Sequence, residues 1–232
     1  MIALRQVSRW YPGMQADRSR VLDQLDLELK KGEFLYVIGG TGAGKTTLLR
    51  MLATEEHPSA GNVSLFGYDL SAVSASTLRT IRQAISTIPQ RVQLIPDLTV
   101  FENVAIAASA AGSRAVSKSS RQRALELLER LGLTSKRDRL ASELSGGESQ
   151  RVAIAQALVR KPELILADEP TGAQDPDSAW GILDLLLREN LSGATVILAT
   201  HDREMVRRVR KKTVFLKNGR MQLHVEDSPC RF

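Results

Sequence analysis

Apolar residues recur along the first part of the chain at the two-residue period of β-strands. Leu25, Leu27 and Leu29 alternate with polar residues, which predicts a strand with one buried face. The segment Phe34–Ile38 is apolar throughout and stops at two glycines, as a fully buried strand does. We therefore predict short strands over roughly the first 90 residues, with one helix after the glycine-rich turn.

Beyond Thr99 the period of the apolar residues changes to that of an α-helix. Alanine and leucine residues from 124 to 131 recur at helical spacing, and Gly132 fits the end of that helix. The stretch Gly112–Ser120 is rich in small residues and predicts a loop. Downstream, the pattern predicts a helix from about Ser145 to Arg160, a strand at Leu164–Ala167, a helix through Trp180–Leu187 and a strand at Thr195–Ala199. This alternation is typical of a parallel α/β sheet, and Asn218-Gly219 predicts a final hairpin turn.

The composition is that of an ordinary globular protein. Of 232 residues, 43% are hydrophobic and 25% charged, which excludes a disordered or collagen-like chain, and the single cysteine excludes an intrachain disulfide. Uninterrupted apolar runs reach about five residues, far short of the ~20 that a membrane span needs, and no apolar leader is visible. We expect a chain that is neither secreted by that route nor membrane-spanning. The net charge of +6 is compatible with nucleic acid, an anionic membrane surface or a polyphosphate ligand, and selects none of them.

A glycine-rich segment directly follows the buried strand. It fits the pattern G-x-x-x-x-G-K-[ST] and consists of Gly39, Gly40, Thr41, Gly42, Ala43, Gly44, Lys45 and Thr46. Glycines let backbone N–H groups converge on phosphate oxygens, Lys45 reaches the outer phosphates, and Thr46 offers its hydroxyl to Mg²⁺. The segment Thr47–Leu52 is helical in pattern, and a helix N-terminus adds a favourable dipole. We predict a nucleotide phosphate site here; the alternative is a glycine-rich turn with an incidental lysine.

Two carboxylates follow the strand predicted at Leu164–Ala167. At the carboxyl end of a parallel strand, Asp168 would hold Mg²⁺ and Glu169 would act on an attacking water. For this segment alone, an exposed acidic turn is the alternative. The phosphate site predicted upstream favours the catalytic interpretation, because such a site takes a metal carboxylate from a second strand.

The segment Ser145-Gly146-Gly147-Glu148 precedes an amphipathic helix. Ser145 and Glu148 fit a capping box, which explains both without a ligand. Capping does not explain the two glycines, since each costs up to ~1 kcal/mol in a helix relative to alanine. Bare backbone N–H groups that approach an anion closely would explain them. Taken alone, the segment leaves a helix cap and a phosphate site equally open.

The order of these motifs resembles that of the ATP-binding-cassette (ABC) ATPases along nearly the whole chain. The resemblance includes the later Thr200-His201-Asp202. It implies an α/β fold: a P-loop core with a mostly parallel sheet, an N-terminal antiparallel β-subdomain and a helical signature subdomain. It implies one domain over residues 1–232, with the helical subdomain at about 95–160 inserted in the core. It also implies ATP and Mg²⁺ as cofactors, and an ATP-dependent homodimer in which Ser145–Glu148 of one subunit completes the ATP site of the other.

Further residues take roles by this resemblance, and most of them have a plainer alternative. Tyr11 would stack on adenine, or be a strand-edge aromatic. Gln90 would link Mg²⁺ and the attacking water to a membrane partner, or be plain surface. His201 would contact the γ-phosphate, or be structural. Thr47 would join the nucleotide-binding loop.

Communication across the dimer is the role that the resemblance gives to Asp175. Two nearby features depart from the family pattern. Gln174 stands where family members usually have leucine, and Pro89 stands where an aromatic residue commonly precedes the glutamine. Neither position is a phosphate or metal ligand. We therefore expect these departures to affect communication across the dimer and not ATP hydrolysis itself.

Three classes of cassette protein compete: a subunit that energises a membrane complex, a soluble chromosome or repair ATPase, and a translation factor with two cassettes. A single copy of each motif excludes the last, and the lack of a sustained heptad disfavours the second. Within the first class, matches at Val7–Tyr11, Gly42–Lys45 and Pro96–Val104 resemble the bacterial cell-division ATPases of the FtsE type, with lipoprotein-releasing and macrolide-export cassettes as the alternative. The resemblance implies an FtsX-like integral-membrane partner, a place at the cytoplasmic face of the bacterial inner membrane, and no nucleic-acid partner.

Two surface segments offer contacts to partners. Near Gln90, apolar residues are unusually dense: Val92, Leu94, Ile95, Leu98, Val100 and Phe101. We expect some of them to line a groove that receives a helix of the membrane partner; the alternative is that all pack in the core. The basic segment Arg203–Lys212 is expected to be a solvated helix face, with a patch that faces acidic lipid as the alternative.

Overall fold

The fully apolar segment Phe34–Ile38 forms strand β3 inside the larger of two β-sheets. The computed structural model describes residues 1–11, 20–109, 117–172 and 176–224. Within them, the other strands are β1 (Ile2–Trp10), β2 (Arg20–Leu29), β4 (Ala60–Leu65), β5 (Tyr68–Asp69), β6 (Ile85–Ile88), β7 (Leu164–Asp168), β8 (Thr195–Thr200), β9 (Lys212–Lys217) and β10 (Arg220–His224). The α-helices are α1 (Lys45–Leu52), α2 (Ala75–Ala84), α3 (Val100–Ser109), α4 (Lys118–Arg130), α5 (Gly146–Leu158), α6 (Pro176–Leu191) and α7 (Arg203–Arg208).

The larger sheet is mostly parallel, which confirms the predicted α/β class. Its strand order is β10-β9-β3-β8-β7-β6, and of the pairings described within this sheet only that of β10 with β9 is antiparallel. Because β3, β8 and β7 are neighbours and parallel, their carboxyl ends lie at one edge of the sheet. The glycine-rich loop, Asp168-Glu169 and His201 follow these three ends, so the topology brings the predicted site residues together.

The smaller sheet is antiparallel, with strand order β2-β1-β4-β5. Leu25, Leu27 and Leu29 on β2 are buried and the residues between them are exposed, which confirms the half-buried strand predicted there. The buried side of this sheet joins α1 in one hydrophobic core. The phosphate loop therefore lies between the two sheets.

Alternate side chains of β3 enter two different cores. Phe34, Tyr36 and Ile38 pack with residues of α3, α4, α5 and α6 on one face of the larger sheet. Leu35 and Val37 pack with α1 and the antiparallel sheet on the other face. Because both faces are covered, every side chain of β3 is buried, and this explains the run of large, mainly apolar residues in the sequence.

The helices that follow the first half of the chain largely match their predictions. Helix α5 ends at Leu158, close to the predicted end at Arg160, and α6 extends beyond the predicted Trp180–Leu187 at both ends. Gly132 has a φ of 68° just after α4, the left-handed conformation typical of a glycine that ends a helix. Helices α3, α4 and α5 pack against one another.

Two local predictions are wrong. Helix α2 is a second helix in the N-terminal part; Leu78, Ile81 and Ala84 lie on one side of it, and of these only Ile81 is fully buried. Helix α4 begins inside the predicted loop Gly112–Ser120, since the Ser117 hydroxyl accepts a hydrogen bond of 3.0 Å from the Ser120 N–H and caps the helix. Residues 110–116 of the predicted loop and helix lie outside the described residues.

The end of the described chain confirms two further predictions. Asn218 and Gly219 both have positive φ, 50° and 73°, and form the tight turn between β9 and β10. The basic segment Arg203–Lys212 is a short helix with an exposed basic face, α7, followed by the start of β9. No helix of the described residues is long and apolar enough to cross a membrane.

Candidate functional site

The glycine-rich loop connects the end of β3 to α1 and is shaped by the residue that precedes the helix. Gly44 has a φ of 102°, and a Cβ at this position would lie 2.7 Å from Leu22 Cδ2 and 2.9 Å from the Val21 carbonyl oxygen. Only glycine therefore fits between the loop and β2. This close approach fixes the N-terminus of α1, whose free N–H groups suit an anion.

Lys45 is the buried cation of the loop. Its Nζ donates hydrogen bonds to the carbonyl oxygens of Gly39 at 2.7 Å and Gly40 at 3.3 Å. The same Nζ lies 3.4 Å from Oε1 of Glu169, and both side chains are about 90% buried, with exposed fractions of 10% and 9%. The ammonium group thus lies inside the loop and beside a carboxylate of the neighbouring strand end, where it can meet phosphate oxygens.

Thr46 and Asp168 form the second contact between α1 and β7. The Thr46 hydroxyl donates a hydrogen bond of 2.6 Å to Oδ2 of Asp168. Burial raises the pKa of the Asp168 carboxyl group and the charge of Glu169 raises it further, against the hydrogen bond from Thr46 and the charge of Lys45. A divalent cation would favour the ionised form. A hydroxyl and a carboxylate are ligands that Mg²⁺ takes together with phosphate oxygens, so this pair fits the cation.

Glu169 occupies a strained backbone position at the end of β7. Its φ of 48° lies in the left-handed region, and its N–H donates a hydrogen bond of 2.9 Å to the carbonyl oxygen of Ala199 on β8. The carboxylate is held between Lys45 and the ring of His201, whose Nδ1 lies 2.8 Å from Oε2. The imidazole itself is largely exposed, at 71%. A carboxylate so placed could accept a proton from a water molecule, and the exposed imidazole could contact a ligand.

Two cavities adjoin this cluster. One, of about 740 Å³, is lined by Gly39–Ala43 of the loop and by His201 and Arg203, together with residues of β9 and β10. The other, of about 470 Å³, is lined by Glu169, Thr171 and residues 200–203. His201 borders both, so the loop backbone and the predicted catalytic side chains face open space.

The Ser145–Glu148 segment forms the capping box that the sequence allowed. The Ser145 hydroxyl accepts a hydrogen bond from the Glu148 N–H, and the Glu148 carboxylate accepts one of 2.9 Å from the Ser145 N–H. An ion pair with Lys136, with these hydrogen bonds, lowers the pKa of Glu148 to about 2. A Cβ at Gly146 would meet nothing within 4 Å, so packing inside the chain does not demand glycine there. Lys136 was not predicted, because nothing in the local pattern points to a partner in this segment.

Tyr11 follows β1 and has two partners that the sequence analysis missed. Its hydroxyl donates a hydrogen bond of 2.5 Å to Oε2 of Glu56. The guanidinium carbon of Arg9 lies 4.6 Å from the centroid of the Tyr11 ring. Arg9 lies near the end of β1 and Tyr11 two residues later, just beyond the strand, a spacing that could have indicated a shared face. Glu56 lies far along the chain and gave no such signal.

The remaining predicted residues lie apart from the cluster or outside the described part. Gln90 is exposed beyond the end of β6, and no hydrogen bond joins its side chain to another described residue. Helix α5 reaches this point, since Nε2 of Gln150 lies 3.4 Å from the Pro89 carbonyl oxygen. Thr47 lies in the first turn of α1. Asp175 and Gln174 fall outside the described residues.

The groove beside Gln90 exists, but its predicted lining is wrong. A cavity of about 540 Å³ lies between the end of β6, α3 and α5, and none of the six apolar residues from Val92 to Phe101 lines it. Val100 is buried in the core, Leu94 and Phe101 pack against that core, and Ile95 is 43% exposed outside the cavity. The cavity wall instead carries small residues and the basic and amide side chains of Arg91, Gln93, Gln156 and Arg160. Three of the six, Val100, Leu94 and Phe101, pack in or against the core because burial of their surface is favourable.

Comparison with known proteins places this arrangement in a family. A family model described as ABC transporter matches residues 22–172 of the chain. The cell division ATP-binding protein FtsE of Bacillus subtilis (strain 168) is 37% identical over 220 residues, which cover 94% of this chain and 93% of that protein. The methionine import ATP-binding protein MetN 1 of Oceanobacillus iheyensis is 39% identical over 224 residues, 95% of this chain and 65% of that protein.

A solved structure is similar over the whole fold. It is a dimeric, post-hydrolysis state of the ATP-binding cassette MJ0796 bound to ADP and Pi, with a TM-score of 0.87, 33% identity, and coverage of 98% of this chain and 100% of that chain. The family match and this likeness agree with the phosphate loop, the Thr46–Asp168 pair and the Lys45–Glu169–His201 cluster. The chain belongs to the ABC transporter family, as an ATP-binding and ATP-hydrolysing subunit.

Proposed function

We propose that the chain is the ATPase of a bacterial cell-division complex of the FtsE type, which drives an FtsX-like membrane partner and so controls cell-wall hydrolysis. The FtsE relative is matched over nearly its whole length, whereas the methionine-import relative extends well beyond the matched part. The match over nearly the whole length of that FtsE relative supports the division role. The ATPase subunit of a lipoprotein-releasing or macrolide-type exporter is the alternative function.

The catalytic roles follow from the contacts at the ends of β3, β7 and β8. Lys45 binds the outer phosphates from inside the loop, and Thr46 with Asp168 holds Mg²⁺, which when bound neutralises phosphate charge. Glu169 accepts a proton from the attacking water or orients it. His201 contacts the γ-phosphate and holds the Glu169 carboxylate in place. The observation that carries this assignment is the position of Glu169 between Lys45 and His201.

A second copy of the chain completes the ATP site. Gly146 stands at the start of α5 with open space where its side chain would be, and neither packing nor a positive φ requires glycine there. An anion that approaches the bare N–H groups of this helix start explains the residue. The phosphate of an ATP molecule held by the loop of the partner copy is that anion, and the dimeric state of the similar cassette supports this arrangement.

The groove beside Gln90 receives a short cytoplasmic helix of the membrane partner. Its wall carries two arginines, Arg91 and Arg160, and one carboxylate, Glu55, which pairs with Arg50 at 3.3 Å. Arg91 is exposed and has no hydrogen bond or ion pair within the described residues. Charge complementarity therefore favours an incoming helix that presents acidic side chains over one that binds through apolar residues alone.

Binding to the membrane partner tests whether the groove receives a helix of that partner. The Arg91→Glu variant should lose at least about tenfold of its binding to vesicles that contain the FtsX-like protein, because a like charge would face the acidic helix. Arg79→Glu is the matched control, since Arg79 is exposed on α2 and lies outside the groove. Equal binding of both variants and the parent would contradict the groove assignment.

A division phenotype tests the proposed role itself. Replacement of the chromosomal copy by a Glu169→Gln variant should give filamentous or misshapen cells, because the complex would bind ATP without cycling. Cells of normal shape that fail to release lipoproteins or to resist macrolides would favour the exporter alternative.

A further inference from the structure

We propose that Glu56 is a positioning residue for the nucleotide base, because its carboxylate holds Tyr11 and Arg9 together as a stacking platform beside the phosphate loop. The inference rests on the proposed ATPase function and on the role that the sequence resemblance gives to Tyr11, stacking on adenine. It adds a residue that lies after α1, remote from every motif of the sequence, and gives it a specific task in ATP binding.

The Glu56 carboxylate is almost fully buried and has three donors around it. Its Oε2 accepts hydrogen bonds from the Tyr11 hydroxyl at 2.5 Å and from Nε of Arg9 at 3.1 Å. Its Oε1 lies 3.1 Å from Nη1 of Arg50 on α1. The exposed fraction of the Glu56 side chain is 9%, so the carboxylate is shielded from water and these charge-assisted bonds are strong. One buried group thus links β1 to the end of α1.

The two donors on Oε2 are also stacked on each other. The Arg9 guanidinium carbon lies 4.6 Å from the centroid of the Tyr11 ring, within the range of a cation–π contact. Since both side chains bond to the same oxygen atom, neither can rotate without the loss of a hydrogen bond. Arg9 covers one face of the ring, and we infer that a base would stack on the opposite face, for which no ring contact is described among residues 1–11 and 20–109.

The backbone places this platform next to the phosphate loop. Trp10, the residue before Tyr11, pairs with Arg20 across the antiparallel sheet. The next residue, Val21, brings its carbonyl oxygen so close to Gly44 that no Cβ would fit there. The pairing of Trp10 with Arg20 and the contact of Val21 with Gly44 therefore link Tyr11 to the loop that binds the phosphates. A ring that is already held in place loses less conformational entropy when ATP binds than a ring that moves freely, so ATP binds more tightly.

The test compares Glu56→Gln with Glu28→Gln. Glu28 is exposed on β2 of the antiparallel sheet, and its side chain has no hydrogen bond or ion pair within the described residues. In steady-state ATPase assays, we expect Glu56→Gln to raise the KM for ATP about 3- to 10-fold with kcat within about twofold, and Glu28→Gln to change neither. Inorganic tripolyphosphate, which has no base, should inhibit the parent and both variants equally. If the role of Glu56 were merely structural, Glu56→Gln would instead weaken the binding of both ATP and tripolyphosphate, or lower kcat.

Further variants separate the inference from the function on which it rests. Tyr11→Ala should raise the KM for ATP at least as much as Glu56→Gln, and the double variant should add little to it. A Tyr11→Ala variant with the parent KM would refute the base-stacking role of Tyr11. If Tyr11→Ala raises the KM while Glu56→Gln and Arg9→Met do not, the inference about Glu56 alone is overturned. Arg9→Met and Tyr11→Phe decide the question if Glu56→Gln does not fold, and parent KM values in both would then refute it.

Discussion

Nδ1 of His201 lies 2.8 Å from Oε2 of Glu169, so an imidazole exposed to solvent holds a carboxylate that is almost fully buried. The two residues follow neighbouring parallel strands, β8 and β7. The other carboxylate oxygen of Glu169 lies 3.4 Å from the Lys45 ammonium group. A ligand that displaces His201 or Lys45 would therefore act directly on the orientation of Glu169.

Removal of the charge of Glu169 should abolish most of the hydrolysis without loss of ATP binding. In Glu169→Gln the amide keeps the shape of the side chain but cannot accept a proton, so we expect the ATPase rate to fall roughly 10²–10⁴-fold. ATP-bound dimers should accumulate, as seen by size-exclusion chromatography. Glu163→Gln, at the other end of β7, is the control and should keep the parent rate. A Glu169→Gln rate within about twofold of the parent would refute the role.

The Lys45→Ala variant should lose the stabilisation that ATP gives to the fold. At a hundredfold excess of ATP over Kd, linkage adds ~2.7 kcal/mol to the free energy of unfolding of a protein that binds it. Thermal denaturation with and without ATP measures this effect. The control Lys31→Ala removes an exposed lysine that pairs with Glu163. This variant should show the same ATP-induced rise in Tm as the parent. Equal ATP-induced shifts in the parent and Lys45→Ala would mean that Lys45 does not bind the nucleotide.

The Thr46–Asp168 pair predicts how ATP binding depends on Mg²⁺. Thr46→Val keeps the volume of the side chain but removes the hydroxyl that donates to Asp168. With excess chelator, the parent and Thr46→Val should bind a fluorescent ATP analogue with similar Kd. When Mg²⁺ is added, the parent should bind at least about tenfold more tightly and the variant much less so. An equal response of the two proteins to Mg²⁺ would exclude Thr46 as a ligand.

Glu148 should contribute stability that depends on pH. Its pKa is about 2 in the folded protein against an ordinary value of 4.5, so the folded state favours the ionised form. The contribution is therefore fully present above about pH 4.5 and is lost as the pH falls towards 2. Urea unfolding at pH 7 should show Glu148→Gln to be less stable than the parent, and the difference should shrink as the pH is lowered towards 3. A difference that is constant with pH would contradict the assignment of the shift to ionised Glu148.

Local patterns predicted the parts of the fold that depend on residues close in sequence. The strand β3 and the loop after it were recognisable because a five-residue apolar run and a fixed glycine–lysine spacing lie side by side. The capping box of Ser145 was recognisable for the same reason. Helix α2 was missed because it lies on the surface, and its apolar residues Leu78, Ile81 and Ala84, although at helical spacing, are few.

Contacts between residues that are far apart along the chain could not be predicted from the sequence. Nothing near Tyr11 indicates that Glu56 will accept its hydroxyl, and nothing near Glu148 points to Lys136. The lining of the groove differs from the prediction because Val100 is buried in the core and Leu94 packs against that core, whereas the sequence pattern places both beside Gln90. Pairings of this kind depend on how the sheets and helices pack, which the one-dimensional pattern does not contain.

The carbonyl oxygen of Val21 is the meeting point of three segments. A Cβ at Gly44 would lie 2.9 Å from it and a Cβ at Gly219 only 2.7 Å, and the Asp23 N–H next to it donates a hydrogen bond of 2.8 Å to the Gly219 carbonyl oxygen. The antiparallel sheet, the start of α1 and the last hairpin thus meet in close contact at one point. A displacement of the antiparallel sheet at this point would therefore move the phosphate loop with it. Movements of the loop that accompany ATP binding should in turn be passed to the antiparallel sheet and the last hairpin through this contact.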